Sequence, residues 1–444
     1  MNGDFDTRLP RILCVSPVFV PTADPEAFCG AKMVQALRQC GAGVTVLTDH
    51  NHYRGAPKDD SRLWDSVRAD SVEVPQRGQP NLLSSIAAAL RFQARFYGRW
   101  VADVVKTARR LHQANPFDVV YSRSLPMVSH VAGFWCAKTL NLPWIANIND
   151  PWDFHFFPDA QYRKLSPFVA RASMFWLKRT LQNADLVTYP GKGLRDFHTR
   201  LSGLDHASEL IPHVGYRPEG CGENESGQFR LVHAGRLGAT DVTGRSSRAL
   251  LPGLKSFVDS SAEARARTKL VLVGPEDTET QAMICELGLQ ENVETVGRVS
   301  YEASLNYIAA ASACILLEAD ISEGVFFASK LADYLACGKP VLAISPRIGT
   351  AADLASRGEL IRVDHDPGAI GEAIAALYTE FERGTLGSCS PSERLVTELQ
   401  GPAVARQFLA ACRSLTARPQ SESWQRDRKG SWTRVRHSND LSQS

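Results

Sequence analysis

No stretch of this 444-residue chain approaches the roughly 20 consecutive apolar residues needed to cross a bilayer, so a membrane-spanning protein is not expected. Cys-x-x-Cys is missing as well. The 10 cysteines are scattered singly, several of them inside strand and helix patterns where a free thiol behaves as a small hydrophobe. That argues against a zinc ribbon or a disulfide scaffold and suits a reducing cytoplasm. An excess of either charge is lacking too. Lys and Arg number 50 against 48 Asp and Glu, which gives no whole-molecule reason to expect nucleic acid. The opening MNGDFDTRLP has neither the basic nor the apolar region of a secretory leader. With 44% hydrophobic residues and a length beyond one typical core, a soluble protein of two domains is expected.

What is present is alternation. Short β-branched runs, RILCVSPVF (11–19), VTVLT (44–48), SVEVP (71–75), DVVYS (118–122), PWIANI (143–148) and DLVTYP (185–190), are separated by helical patterns such as GAKMVQALRQCGA (30–42). Most lack the in–out alternation of a half-wet strand, as parallel strands covered on both faces do. The breaker-rich GYRPEGCGENESGQ (215–228) interrupts this pattern. It resumes with FRLVHAG (229–235), KLVLVGP (269–275), NVETVG (292–297), ACILLEA (313–319), KPVLAIS (339–345) and ELIRVDH (359–365). The expected fold class is α/β, two Rossmann-like doubly wound domains over 1–214 and 229–400, joined by the linker 215–228 and facing a central cleft. One more helix is expected at 401–416, returning to the first domain. The polar, basic stretch 417–444 is expected to be disordered.

Open parallel sheets bind ligands beyond the carboxyl ends of their strands. After the strand 229–235 come Gly235 and Arg236, then a loop through Arg245 into a helix expected at 246–257. Two guanidiniums and a helix N-terminus around a glycine suit a diphosphate, because Arg forks match phosphate oxygens bidentately. On composition alone a solvated loop is the commoner reading of such arginines. The segment SKLADYLACGKPVLAIS (329–345) opens a helix with Ser329 and Lys330. A cation in the first turn opposes the helix macrodipole and makes sense with an anion in front of it. Asp333, one turn on, is placed to accept hydrogen bonds from paired hydroxyls such as those of a ribose, or simply to form an i,i+3 pair with Lys330.

These residues carry a resemblance. RILCVSPVFVP, AKTLNLPWIANINDPWDF (137–154), NADLVTYP (183–190), LIPHVG (210–215), LVHAGRL (231–237) and above all SKLADYLACGKPVLAISPRIGTAADL (329–354) resemble the GT-B glycosyltransferases of the retaining family 4, over most of residues 10–415. The resemblance implies transfer of a sugar from a nucleotide-sugar donor to a glycan, lipid-linked or small-molecule acceptor, with retention of configuration, in polysaccharide or glycoconjugate biosynthesis. It implies that Arg236, Arg245 and Lys330 neutralise the donor diphosphate in place of a metal, so no cofactor is expected. Ser329 and Gly235 would border the phosphates and sugar, Arg298 and Val299 following Gly297 would lie near the base, and Asp333 would hold the ribose. On the first domain, Gly30, opening its helix, and Asn149 and Asp150, following a strand, would face the sugar or the acceptor.

Two departures from the family pattern stand out. The first glutamate of its E-x7-E motif falls at Val325, with Glu323 two residues early, and the second position is Asp333 rather than Glu. A GT-B epimerase of nucleotide sugars, and a catalytically inactive glycosyltransferase-like binding subunit, therefore remain as alternatives. The helix pattern 82–112 carries Arg91, Arg95, Arg99, Lys106, Arg109 and Arg110 with Phe92, Phe96, Tyr97 and Trp100. It reads either as a peripheral contact with the inner face of the membrane or as a helix packed on the sheet with a solvated basic side. A cytoplasmic location follows on either reading. His155, His213 and His233 read as structural histidines.

Overall fold

The computed structural model describes residues 8–49, 55–75, 98–152, 167–218, 227–238, 244–275 and 277–417, with 422–426 and 432–436. The first sheet contains β1 (Arg11–Val15), β2 (Gly43–Thr48), β3 (Ser71–Glu73), β4 (Val119–Arg123), β5 (Trp144–Asn147), β6 (Leu186–Tyr189) and β7 (Ser208–Leu210). Their order is β3-β2-β1-β4-β5-β6-β7, and every pairing is parallel. The second sheet is built from β8 (Phe229–Ala234), β9 (Thr268–Val273), β10 (Val293–Gly297), β11 (Ala313–Leu317), β12 (Val341–Ile344) and β13 (Ile361–Val363). It runs β10-β9-β8-β11-β12-β13, again all parallel. The fold is thus the expected pair of doubly wound α/β domains. β4, β5, β11 and β12 are buried along their whole length, which is why their residues are apolar without alternating.

Strand order reverses between β1 and β4 in the first sheet and between β8 and β11 in the second. These switch points are where the loops splay apart and leave a crevice beyond the strand ends. Arg123 closes β4 and Glu318 follows β11, so each crevice has a charged residue at its floor.

Helix limits differ from the sequence pattern in two places that matter. The helix expected to open at Gly30 runs Pro25–Gln39, with Pro25 in the first turn and the Asp24 carboxylate accepting from the Glu26 amide at 2.9 Å. Asp-Pro-Glu is an N-terminal signature, so Gly30 lies inside the helix and Glu26 in its first turn. The helix expected from 246 begins at Leu250. Pro252 has no amide hydrogen and must sit in the first turn, which brings the start forward and leaves Arg245 in the preceding loop. β7, a three-residue edge strand, has too few residues to show a pattern.

The two domains share one apolar cluster that runs from β1 and the Pro25–Gln39 helix to β8, β9 and the Ser329–Ala336 helix. At its centre Lys32 Nζ meets Asp333 Oδ1 at 2.8 Å, both side chains almost wholly buried. Asp59 Oδ2 accepts from the Tyr301 amide at 2.6 Å and Ser61 Oγ from the Glu302 amide at 3.1 Å. A loop of the first domain therefore supplies acceptors to the open N-terminus of the Tyr301–Ala309 helix of the second. The chain crosses between domains at Gly215, where a Cβ would collide with Ala332 O and Ala336 Cβ, so only glycine fits there. It then crosses back before Gly401–Thr416, whose Phe408 ring lies 4.5 Å from that of Tyr121.

The Gly98–Ala114 helix buries Trp100, Val101, Val104 and Ala108 and leaves Lys106, Arg109 and Arg110 exposed. Trp100 Nε1 donates to Val74 O at 2.8 Å, so this tryptophan is a core residue and not part of a membrane face. Arg91, Phe92, Arg95, Phe96 and Tyr97 lie outside the described residues. In the tail, where disorder was expected, β14 (Glu422–Arg426) and β15 (Trp432–Arg436) pair as an antiparallel hairpin. No helix among the described residues is long and apolar enough to cross a membrane.

Candidate active site

The second switch point gathers cations. Gly235 follows β8 with φ +126°, in the region open to glycine, and a side chain there would collide with Lys330 Nζ. Lys330, in the first turn of the Ser329–Ala336 helix, thus lies against the backbone beside Arg236. Its ammonium stands 3.4 Å from His233 Nε2, while His233 Nδ1 is 3.0 Å from Ile315 O. A carbonyl can only accept, so Nδ1 carries the proton and Nε2 offers its lone pair to Lys330. Loss of water holds the Lys330 ammonium well below its ordinary range, and the nearby Arg245 pushes it further the same way. Burial likewise holds His233 well below the usual range, with Lys330 adding to it.

Glu318 is the acid in this cationic crevice. It is 8% exposed, and its Oε1 has no hydrogen-bond partner among the described residues. Burial pushes its carboxyl up to about 7, with Arg245 opposing. A buried polar atom without a partner costs roughly 1–3 kcal/mol, so such atoms mark places where water or a ligand is expected.

The first switch point has the opposite composition. Glu26 Oε2 accepts from the Leu125 amide at 3.1 Å and from Asn149 Nδ2 at 3.0 Å, and Asn149 Nδ2 also donates to Ser124 O at 2.9 Å. The ends of β4 and β5 are thereby tied to the first turn of the Pro25–Gln39 helix. Burial raises Glu26 well above the usual carboxylate range, and Asp150 raises it further. Burial pushes Asp150 up to about 6, against a hydrogen bond with Glu26 and the charge of Arg245. The charge of Arg245 thus acts on groups of both domains. Arg236, exposed on the second domain, acts in the same way on Asp24 of the first.

Two family models match the sequence, a glycosyl transferase 4-like domain over residues 30–212 and glycosyl transferases group 1 over residues 242–380. The chain is a GT-B-type glycosyltransferase. No curated protein matches it. Among solved structures, the transferase is similar to sucrose-phosphate synthase from Thermosynechococcus elongatus, at 17% identity and TM-score 0.65 over 92% of this chain and 99% of that one. It is similar to Anabaena HepE, solved with UDP-glucose, at 15% identity and TM-score 0.63 over 91% and 100%. A UDP-N-acetylglucosamine 2-epimerase matches at 12% identity and TM-score 0.52 over 90% and 95%. At these identities the likeness is one of fold.

Within the transferase, Lys330 lies against Gly235, Ser329 precedes it at the head of the helix and Arg245 acts on its charge, while Asn149 bonds to Glu26 and Asp150 acts on Glu26. Other expected site residues are engaged elsewhere. Asp333 does not present a carboxylate for a ribose. It is 3% exposed, and Oδ1 already accepts from Lys32 Nζ and, at 2.9 Å, from the Tyr216 amide. Glu323 forms a two-pronged pair with Arg200 of the first domain at 2.7 and 2.8 Å. Val325 is fully buried in the first domain's second apolar cluster. Arg298 is exposed, and Val299 packs on the shared core. Gly30 lies beneath the first crevice, where a Cβ would stand 3.3 Å from Phe19 Cδ2 and 3.6 Å from Arg123 Nε. His213 is buried edge-on to Phe327, and His155 is outside the described residues.

Nothing local marks Glu26, Arg123 or Glu318 as site residues. The one available signal was position, directly after a strand or in a helix's first turn beside a switch point. Asp364 and Asp366 have metal-like spacing, but Asp364 pairs with Arg347 and Arg362, and Asp366 caps the Pro367–Glu382 helix. Among the described residues no group of three or more His, Cys, Asp and Glu is arranged to hold a metal.

Proposed function

We propose that the transferase moves a sugar from a nucleotide-sugar donor to an acceptor hydroxyl with retention of configuration, in polysaccharide or glycoconjugate biosynthesis in the cytoplasm. The observation that carries this reading is Lys330, held against Gly235 with its charge unfavourable in the free protein. A diphosphate in front of it, met also by Arg245, Arg236 and the amides around Ser329, removes that penalty. Breaking the anomeric C–O bond places negative charge on the leaving phosphate. Cations already oriented toward it stabilise that charge more than they stabilise the bound donor. Arg245 and Lys330 supply this field without a divalent ion, and turnover is expected to persist in EDTA. HepE, solved with UDP and UDP-glucose, supports a uridine nucleotide as the first donor to try.

The test is acceptor-dependent release of nucleoside diphosphate from UDP-, GDP-, ADP- and dTDP-sugars, with the product anomer read by NMR. Lys330→Ala and Arg245→Ala are each expected to lower kcat/KM on the order of a hundredfold, or about 3 kcal/mol. Wild-type rates in both variants overturn the assignment. Acceptor-independent conversion of the donor identifies an epimerase instead. Tight donor binding without turnover identifies a binding subunit, the reading that the buried Val325 favours.

A further inference from the structure

The chain crosses between the domains twice, and the two crossings border a cavity of about 540 Å³. That volume is in the usual range for small-molecule sites. Its walls are the second half of the Pro25–Gln39 helix and the segments around Tyr216 and Gln400. Gln39 ends the helix that has Glu26 in its first turn, so this rim of the cavity lies about 20 Å along the axis from the first crevice. The crossings are joined to each other. The Gly215 amide donates to Leu399 O at 2.8 Å, and a Cβ at Gly401 would stand 3.1 Å from Ala36 Cβ. They are anchored in different domains. The Tyr216 amide donates to Asp333 Oδ1 in the second, whereas Gln407 of the returning helix donates to Leu210 O of the first at 2.7 Å. A molecule in the cavity therefore touches both domains where the chain passes between them.

We propose that this cavity is a ligand site at the hinge, and that it takes a small carboxylate bearing hydroxyl groups, of the sugar-acid type. The class follows from the lining. Asp and Glu are absent among the described lining residues, and the two cations are Lys32 and Arg217. Lys32 is already matched by Asp333 at 2.8 Å. Arg217, exposed at the rim, forms no ion pair among the described residues, so one positive charge is left over. A guanidinium fork takes a carboxylate through two parallel hydrogen bonds. Gln35, Gln39 and Gln400 add three amides, groups that both donate and accept, as ligand hydroxyls require. Gln35 Nε2 is spent on Leu63 O at 3.3 Å, which leaves its oxygen as an acceptor. The occupant favours the domain arrangement in which Lys32 meets Asp333. Asp333 shares its helix with Lys330, so a filled hinge also favours the placement of Lys330 against Gly235. A ligand at the hinge and a diphosphate before Lys330 should each strengthen the other's binding.

The site itself does not depend on the function proposed above; only its coupling to a nucleotide rests on that reading. Calorimetry on the full chain uses D-gluconate, glucose and inorganic phosphate as probes. Gluconate is expected to bind saturably and about tenfold tighter than either of the others. Arg217→Ala should weaken gluconate about tenfold, and Gln39→Trp, which fills the mouth of the cavity, should abolish its binding. Both residues are exposed, so neither change threatens the fold. Saturating gluconate should lower the dissociation constant of a nucleoside diphosphate about fivefold, and by linkage the diphosphate should do the same for gluconate. No gluconate binding, unchanged binding in both variants, or a preference for glucose or phosphate overturns the site. Unchanged nucleotide affinity overturns its role at the hinge. A chain that binds gluconate through Arg217 but binds no nucleotide keeps the site and removes the function proposed above.

Discussion

The two switch points have the same topology and opposite electrostatics. Beyond β1 and β4 a buried cation, Arg123, lies behind the carboxyl groups of Asp24, Glu26 and Asp150. Beyond β8 and β11, Lys330 lies beside the neutral His233, and Arg245 acts on Lys330 and on the buried acid Glu318. The parallel sheet supplies the crevice in both cases, and the side chains at the strand ends decide what can enter it. One wall presents cations and the other carboxyl groups. The charge of Arg245 acts on Asp150 of the first domain and on Lys330 of the second.

The comparison depends on the walls being held in register, and the Lys32–Asp333 pair links them directly. Lys32→Met leaves a buried carboxylate alone and is expected to destabilise the protein by about 3–5 kcal/mol in urea unfolding. Lys32→Met with Asp333→Leu should recover most of that loss. A single variant as stable as the wild type would mean the walls are held without help from the Lys32–Asp333 pair.

Glu318 sharpens the contrast on the second wall. Its carboxyl is raised to about 7 in the fold from an ordinary 4.5. Its contribution to stability is therefore fully present below the lower value and is lost as pH rises through the higher. Glu318→Gln should be more stable than the wild type at pH 8, on the order of 3 kcal/mol, with the advantage gone near pH 4. Denaturant midpoints across that range check it, and parallel curves would place the Glu318 carboxyl in water.

The smallest effect concerns Lys330, whose ammonium is held below its ordinary 10.5. A bound diphosphate restores the proton, so between the two values binding takes up a proton and weakens up to about tenfold per pH unit as pH rises. Calorimetry with a nucleoside diphosphate in two buffers of different ionisation heat reads this directly. Equal heats would show Lys330 already charged in the free protein.

Much of this molecule was legible along the chain. Apolar runs without alternation marked buried parallel strands, and the cation at the head of the Ser329–Ala336 helix pointed to the strand-end crevice where Lys330 lies against Gly235. Asp24-Pro25-Glu26 was an equally local cap, outweighed by the stronger apolar period that begins at Gly30. Asp333 looked like a ribose ligand from its place on the helix. Its partner, Lys32, lies 301 residues away, so no window of sequence contains the pair. Glu323 and Arg200, 123 residues apart, are the same case.

The sequence by itself determined the two α/β domains, their strands and the cationic helix start, because propensity, periodicity and capping act over one or two turns. Only the tertiary structure decided which charges are free and which are taken. Burial and ion pairing depend on elements that meet across the crossover, and with them the different charge of the two crevices.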